Sequence, residues 1–394
     1  MTPYAGFTYF GVALYPSLPA IAQGLFGPRG RRAVLVAAVI GMTIVQYWQP
    51  VRLAIDGVRL PVRELWLVSA FAMIQWSLAR AMLAGPASGK PFPLAASVGI
   101  SLAPLAVAKL SPLLSPGSHL EFLGLSYVTF RSLDVVFGIH DGVVRRLPAV
   151  EYLAYLFFFP TVSAGPIDRF RRFGRDWGAV RSRSTFLEDL DGAVQRIVRG
   201  FFYKFLMARL VREHWMHAAA AGTGFAATLS YMYAYSFYLF FDFAGYSAFA
   251  IGFSYLFGVH TPENFDRPFL ARNIRDFWNR WHMTLSFWFR DHVYTRFVLA
   301  AAKRRWFADI HTASYLGLFL AMGLMGVWHG TAWYYVAYGL YHGALLVGHD
   351  LFTRWNKVIR FWGDGPLWQT ASILVTFHAV AFGFLLFSGR LAHT

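Results

Sequence analysis

The 394-residue chain contains no cysteine. Disulfides, thiolate nucleophiles and cysteine-ligated metals are therefore excluded. Charge is scarce as well: Asp, Glu, Lys and Arg make up 14% of the residues, where a soluble domain carries about 25%. Acid is scarcer than base, 20 residues against 36, for a formal charge of +16. Lysine occurs only at Lys90, Lys109, Lys204, Lys303 and Lys357, so the base is mostly arginine. No soluble basic module is visible, which argues against nucleic acid; arginine beside apolar runs instead fits cytoplasmic anchoring of membrane helices. The amino-terminal stretch lacks the charged n-region and cleavage site of a signal peptide, so it is expected to remain as a membrane helix. No Gly-x-Ser-x-Gly nucleophile elbow is present, and Glu213, His214 and His217 do not follow the His-Glu-x-x-His order of a zinc helix. Metal binding is not expected. The paired repeat halves of many transporters are also missing.

What remains is 57% hydrophobic. The apolar runs are helix-length, so an all-α integral membrane protein is expected, not an outer-membrane barrel. Expected membrane segments are 4–26 (broken by Pro16 and Pro19), 33–49, 65–83, 92–109, 120–139, 149–165, 225–241, 243–257, 314–328, 331–351 and 367–387. That gives about eight to eleven segments in one polytopic domain. Arg131 and Asp134 interrupt segment 120–139, and segment 149–165 is short and carries Pro160. The most basic loop, 169–183, should be cytoplasmic, and the uncharged loop 111–119 should lie outside. Strict alternation of full spans would contradict this, so 120–139 or 149–165 is expected to be re-entrant. Residues 187–211 read as an interfacial amphipathic helix, with Ile197, Phe201, Phe205 and Leu206 on one face.

Ionisable groups within apolar surroundings mark candidate chemistry, and residues 264–329 concentrate them. At about 100° per residue, Trp278, Trp281, Leu285 and Phe289 share one face of an expected helix over 272–296. Asn279, His282 and Ser286 line its flank, and Asp276 and Arg280 are spaced to pair. His282 fits a bracing core histidine or one that orients a substrate in a cavity. His329 follows Trp328 at the end of an apolar run, between Gly326 and Gly330. A neutral imidazole there could accept a proton from a hydroxyl as a general base; a structural role fits equally. His342 and His349, seven apart, are expected to hydrogen-bond between helices. Asp242 could serve a helix pair or a cavity. The turn at Gly165-Pro166 leads into Arg169, Arg171, Arg172 and Arg175, either a membrane anchor or a docking surface for an acidic protein.

Taken together, several stretches resemble the membrane-bound O-acyltransferase superfamily. They are Gly165-Pro-Ile-Asp-Arg-Phe-Arg-Arg-Phe173, Asp242-Phe-Ala-Gly-Tyr246, Asn264-Phe-Asp-Arg-Pro268, Phe277-Trp-Asn-Arg-Trp-His-Met-Thr-Leu-Ser286 and Trp328-His329-Gly330 with Tyr338-Gly-Leu-Tyr-His342. The resemblance spans roughly residues 124–357 and is strongest to the branch that moves D-alanine onto envelope polymers. It implies a ring of helices around a central tunnel, with shorter re-entrant helices inside. It divides the chain into amino-terminal spans (1–119), a catalytic core (120–357) and a last span (358–394). It implies that His329 and His282 are catalytic, with Asn279, Ser286, Trp328 and Asp242 along the tunnel. No bound cofactor is implied; the donor is the phosphopantetheine arm of an acidic carrier protein, docking on the arginine loop from the cytoplasm. The acceptor would be an envelope polymer such as lipoteichoic acid, or a lipid, outside the cell membrane. A small single-span subunit is a further implied partner. Acetyl transfer to an exopolysaccharide, as in the alginate-modifying branch, is the alternative, and a transporter the third reading.

Overall fold

The computed structural model of the chain describes residues 3–27, 30–48, 50–55, 58–85, 92–114 and 122–392. The expected outside loop 111–119 therefore falls partly outside the described residues. The chain forms two compact units, one of Met1–Arg199 with Tyr246–Pro262 and the other of Gly200–Gly245 with Glu263–Thr394.

The first unit begins with α1 (Phe7–Phe26), α2 (Arg31–Tyr47), an antiparallel hairpin of β1 (Pro50–Ile55) and β2 (Val58–Arg63), then α3 (Glu64–Ala84) and α4 (Leu94–Leu114). The hairpin was not expected from the sequence. Then come α5 (Leu125–His140), α6 (Ala149–Leu156), α7 (Phe170–Gly178) and α8 (Arg183–Phe201). Beyond α8 the chain stays helical through π turns at Phe202–Met207 and Val211–Met216, joined by α9 (Ala208–Leu210) and ending in α10 (His217–Ala221). The long α11 (Gly224–Leu256) contributes to both units. The second unit adds the short α12 (Ile274–Trp278) and α13 (Met283–Phe289), then α14 (Thr295–Arg304), α15 (Ile310–His329), α16 (Trp333–Ile359) and α17 (Pro366–Phe387).

Among the described residues, five helices are long and apolar enough to cross a membrane: α3, α4, α11, α15 and α17. The protein is an all-α integral membrane protein. One expectation is corrected here: 225–241 and 243–257 are a single 33-residue helix. Asp242 does not break it, because one polar side chain in an apolar helix removes no backbone hydrogen bond.

The short segment also declares itself. α6 has 8 residues and rises about 12 Å, well under the ~30 Å of a bilayer core. Segment 149–165 thus does not span as a single helix, and α5, with 16 residues, is not among the five long apolar helices either. Arg131 and Asp134 of α5 explain how segment 149–165 is held. Arg131, 1% exposed, donates to the carbonyls of Tyr155, Leu156 and Thr161 at 2.8–2.9 Å. A helix end leaves such carbonyls without intrahelical partners, and a cation suits the negative end of its dipole. One turn on, Asp134 accepts from the Phe170 N–H at 3.0 Å and pairs with Arg169 at 2.8 Å, placing a carboxylate at the start of α7. Replacing Arg131 by Met should strand three buried carbonyls at about 1–3 kcal/mol each. A large fall in melting temperature in detergent is expected, with partial recovery in Arg131→Lys; an unchanged melting curve would remove this role.

Candidate active site

The 272–296 run is not one helix. α12 ends at Trp278, and the chain turns through Asn279–His282 before α13. His282 occupies the left-handed region, φ 42° and ψ 50°, a conformation that costs a non-glycine residue about 1–3 kcal/mol unless its surroundings impose it. They do. Asn273 caps α12 by accepting from the Asp276 N–H at 2.8 Å, and Asp276 pairs with Arg280 at 2.7 Å. The stretch before α12 then clamps the turn. Phe265 and Trp281 form an isolated β-bridge, the Asp266 N–H donates to the Arg280 carbonyl, and the Met283 N–H donates to the Asn264 carbonyl, both at 3.0 Å. The fully buried Asn264 side chain accepts from the Thr284 hydroxyl at 2.7 Å and its N–H at 3.3 Å. Sequence reasoning missed this latch; the pairing of Asn264 with Thr284, twenty residues apart, has no helical or strand period to reveal it.

The apolar face is buried as expected despite the break: Trp278, Trp281, Leu285 and Phe289 all lie in the core. Periodicity predicted burial correctly and continuity wrongly. The turn holds His282 4% exposed with its ring edge-on to Phe243, centroids 4.6 Å apart. Its Nε2 has no hydrogen-bond partner among the described residues. Burial first, and the nearby His329 imidazole second, push its pKa well below the ordinary value. His282 is therefore a neutral imidazole, and the two histidines are electrostatic neighbours.

His329 is the last residue of α15. Its ring lies against Trp328 at 4.6 Å and edge-on to Phe387 at 4.8 Å. The flanking glycines have a physical reason. A Cβ on Gly326 would lie 2.3 Å from the Tyr335 carbonyl oxygen, and one on Gly330 2.4 Å from the Tyr335 ring. Across the same contact a Cβ on Gly339 would meet the Met322 carbonyl at 2.3 Å. Glycine lets α15 and α16 approach until their backbones touch, which fixes the end of α15 and the imidazole on it.

Asn279 and Ser286 line a cavity of about 410 Å³ in the second unit. It follows α15 from Ser314 to Met325, one helical turn short of His329. Its charged residues are Arg275, Arg290 and Asp350. Trp278 forms part of the wall, and its Nε1–H has no partner among the described residues. Asp350 is held by Tyr315 at 2.8 Å and Arg354 at 2.8 Å. Ser286 also donates to the Trp281 carbonyl at 3.1 Å, so it braces the turn as well as lining the cavity.

Other expected residues fall elsewhere. Asp242 forms an ion pair with Lys204, the helix-pair role; a Cβ on Gly245, one turn along, would lie 2.8 Å from the Lys204 backbone nitrogen. His342 is corrected: it is fully buried, but neither ring nitrogen has a hydrogen-bond partner among the described residues. It packs among Trp278, Tyr338 and Tyr341 with ring centroids 4.6–5.4 Å away. Of the arginine loop, Arg169 pairs with Asp134 and Arg172 with Asp168 and Asp176, whereas Arg171 and Arg175 point to solvent. Among the described residues no group of three His, Asp or Glu side chains is placed to hold a metal.

Two histidines that are electrostatic neighbours, one of them buried and neutral, lie in a bundle that includes apolar helices long enough to cross a membrane. The chain belongs to the membrane-bound O-acyltransferase family (MBOAT), whose model matches residues 139–388. It is 38% identical to the teichoic acid D-alanyltransferase of Bacillus subtilis (strain 168), over 100% of this chain and 99% of that protein. It is 42% identical to the protein of that name from Streptococcus thermophilus, over 73% of each. Identity to a probable alginate O-acetylase of Pseudomonas syringae pv. tomato is 30%, over 80% of this chain and 57% of that protein. The protein is an O-acyltransferase.

Proposed function

We propose that the protein transfers D-alanine from the phosphopantetheine thioester of an acidic carrier protein to a hydroxyl of a teichoic acid. The observation that carries this is the cavity along α15, lined by Asn279 and Ser286 on either side of His282 in the chain and ending one helical turn short of His329, which suits a thin donor arm. Full-length similarity to the Bacillus subtilis protein named teichoic acid D-alanyltransferase, and similarity over 73% of the one from Streptococcus thermophilus, support the acyl group and the acceptor. In the reaction, His329 takes the proton of the acceptor hydroxyl as its oxygen attacks the thioester carbonyl. The tetrahedral oxyanion collapses, the carbon–sulfur bond breaks, and the departing thiolate recovers the proton from the His329 imidazolium. An oxygen ester and a free thiol result. His282, neutral and with Nε2 unpartnered, orients the thioester or the hydroxyl.

In this reading the carrier docks from the cytoplasm on Arg171 and Arg175, and the protein sits in the cell membrane. Arg169 and Arg172 already hold α7 in place through Asp134, Asp168 and Asp176. Reversing Arg171 and Arg175 to Glu should therefore weaken carrier binding without unfolding the protein. Wild-type affinity should fall with added salt, because rim charges act through screened attraction. Unchanged carrier affinity in the double reversal would move docking elsewhere. The reaction itself is tested with purified protein, teichoic acid and carrier loaded with labelled D-alanine or labelled acetate. An alkali-labile D-alanyl ester is expected; product from the acetyl carrier alone would replace this reading with O-acetylation.

A further inference from the structure

The first unit contains a second cavity, about 480 Å³. The first residues of two helices, Arg31 of α2 and Arg183 of α8, open into it, and Arg32 and Arg181 also form its wall. The Arg31 guanidinium is fixed by the carbonyls of Asp176, Ala179, Phe257 and Gly258 at 2.8–3.2 Å. Carbonyls fix its direction but leave its charge. Gly258, at φ +72°, packs against two arginines at once: a Cβ there would lie 2.8 Å from Arg181 Cζ and 2.9 Å from Arg31 Nε. Burial first, and the like charge of Arg181 second, push Arg31 down to about 10. Arg181 itself pairs with Asp189. Four arginines thus line the cavity against two nearby carboxylates, Asp189 paired with Arg181 and Asp176 acting on Arg31 and Arg181, and two helix N-termini add their partial positive charge.

The rest of the cavity is apolar, with Ala20, Leu25, Phe26, Phe186 and Leu256 on its wall. Phe26 and Val180 at its edge are 88% and 91% exposed. α8, which starts at the cavity, exposes Leu187, Val194 and Val198. Their spacing of seven and four places them on one face, as in a helix lying at a membrane surface. A cationic pocket bordered by apolar side chains and by a helix with an exposed apolar face suits an anion that carries an apolar tail.

We propose that this cavity binds the phosphodiester headgroup of an anionic membrane phospholipid, with Arg32 and Arg183 as donors and the acyl chains over Phe26 and Phe186. The test uses purified full-length protein in detergent. Binding of phosphatidylglycerol and phosphatidylcholine is titrated by native mass spectrometry for the wild type, for the double variant Arg32→Gln/Arg183→Gln, and for Arg146→Gln, an exposed arginine outside the cavity. Loss of two charge-assisted contacts should weaken phosphatidylglycerol by about tenfold or more. Arg146→Gln should match the wild type, and phosphatidylcholine should bind weakly throughout. Competition arms use inorganic phosphate and the loaded carrier, and neither should displace the lipid. Equal phosphatidylglycerol affinity in the double variant would overturn the proposal. Displacement by the carrier would assign the pocket to the phosphodiester of its arm, and displacement by phosphate would make it a simple anion site; both outcomes also overturn it.

Discussion

His329→Ala is expected to abolish acyl transfer while expression and melting stay near wild type. An acceptor hydroxyl has a pKa far above neutrality, and a positioned base that removes its proton contributes about 10²–10⁴-fold. The imidazole ends α15, while the glycine contacts that seat the helix are upstream at Gly326 and across it at Gly339. Truncating the ring therefore leaves the helix packing intact. The measurement is transfer of labelled D-alanine from loaded carrier to membranes, normalised to folded protein. A well-folded variant that keeps more than about a tenth of the rate loses less than a general base supplies, and the base would have to be sought elsewhere. His282→Ala should reduce transfer less, since water can replace part of an orienting contact. His282→Asn, which keeps a polar group in the turn, should retain more activity than Ala.

The second large effect is expected at a residue that touches no substrate. Asn264→Ala removes the acceptor of the Thr284 hydroxyl and N–H. Leaving those buried donors unmet costs about 1–3 kcal/mol, comparable to the strain of the left-handed His282. The turn should relax and the imidazole shift, and a displacement of about 1 Å can cost about 10²-fold in rate. kcat should fall steeply while KM for the carrier changes little, because the exposed arginines of α7 lie in the other unit. Asn264→Asp keeps an oxygen at the same place and should recover part of the rate. Equal losses for Ala and Asp, or a change confined to KM, would contradict the latch.

Much of this was legible beforehand. Apolar runs of helix length fixed the class, and the two histidines stood out because ionisable groups in lipid are expensive. The burial of Trp278, Trp281, Leu285 and Phe289 followed from their spacing. Three things were not legible. Periodicity reports which face is buried but not whether the helix is continuous, so the turn at Asn279–His282 and the unbroken α11 were both misread. Arg131 and Asp134 looked like interruptions; their work is to cap the ends of α6 and α7, and only the fold brings those ends to them. The cavities are made by residues from several helices, and no local pattern encodes such a meeting.

The most direct test of the account uses sealed membrane vesicles carrying the wild-type protein and teichoic acid. Carrier loaded with labelled D-alanine is added to inside-out and right-side-out preparations, each with a His329→Ala counterpart. The account predicts an alkali-labile D-alanyl ester on teichoic acid in wild-type inside-out vesicles, little in right-side-out ones and none with His329→Ala. Equal labelling in both orientations, or labelling that survives the loss of His329, would contradict it.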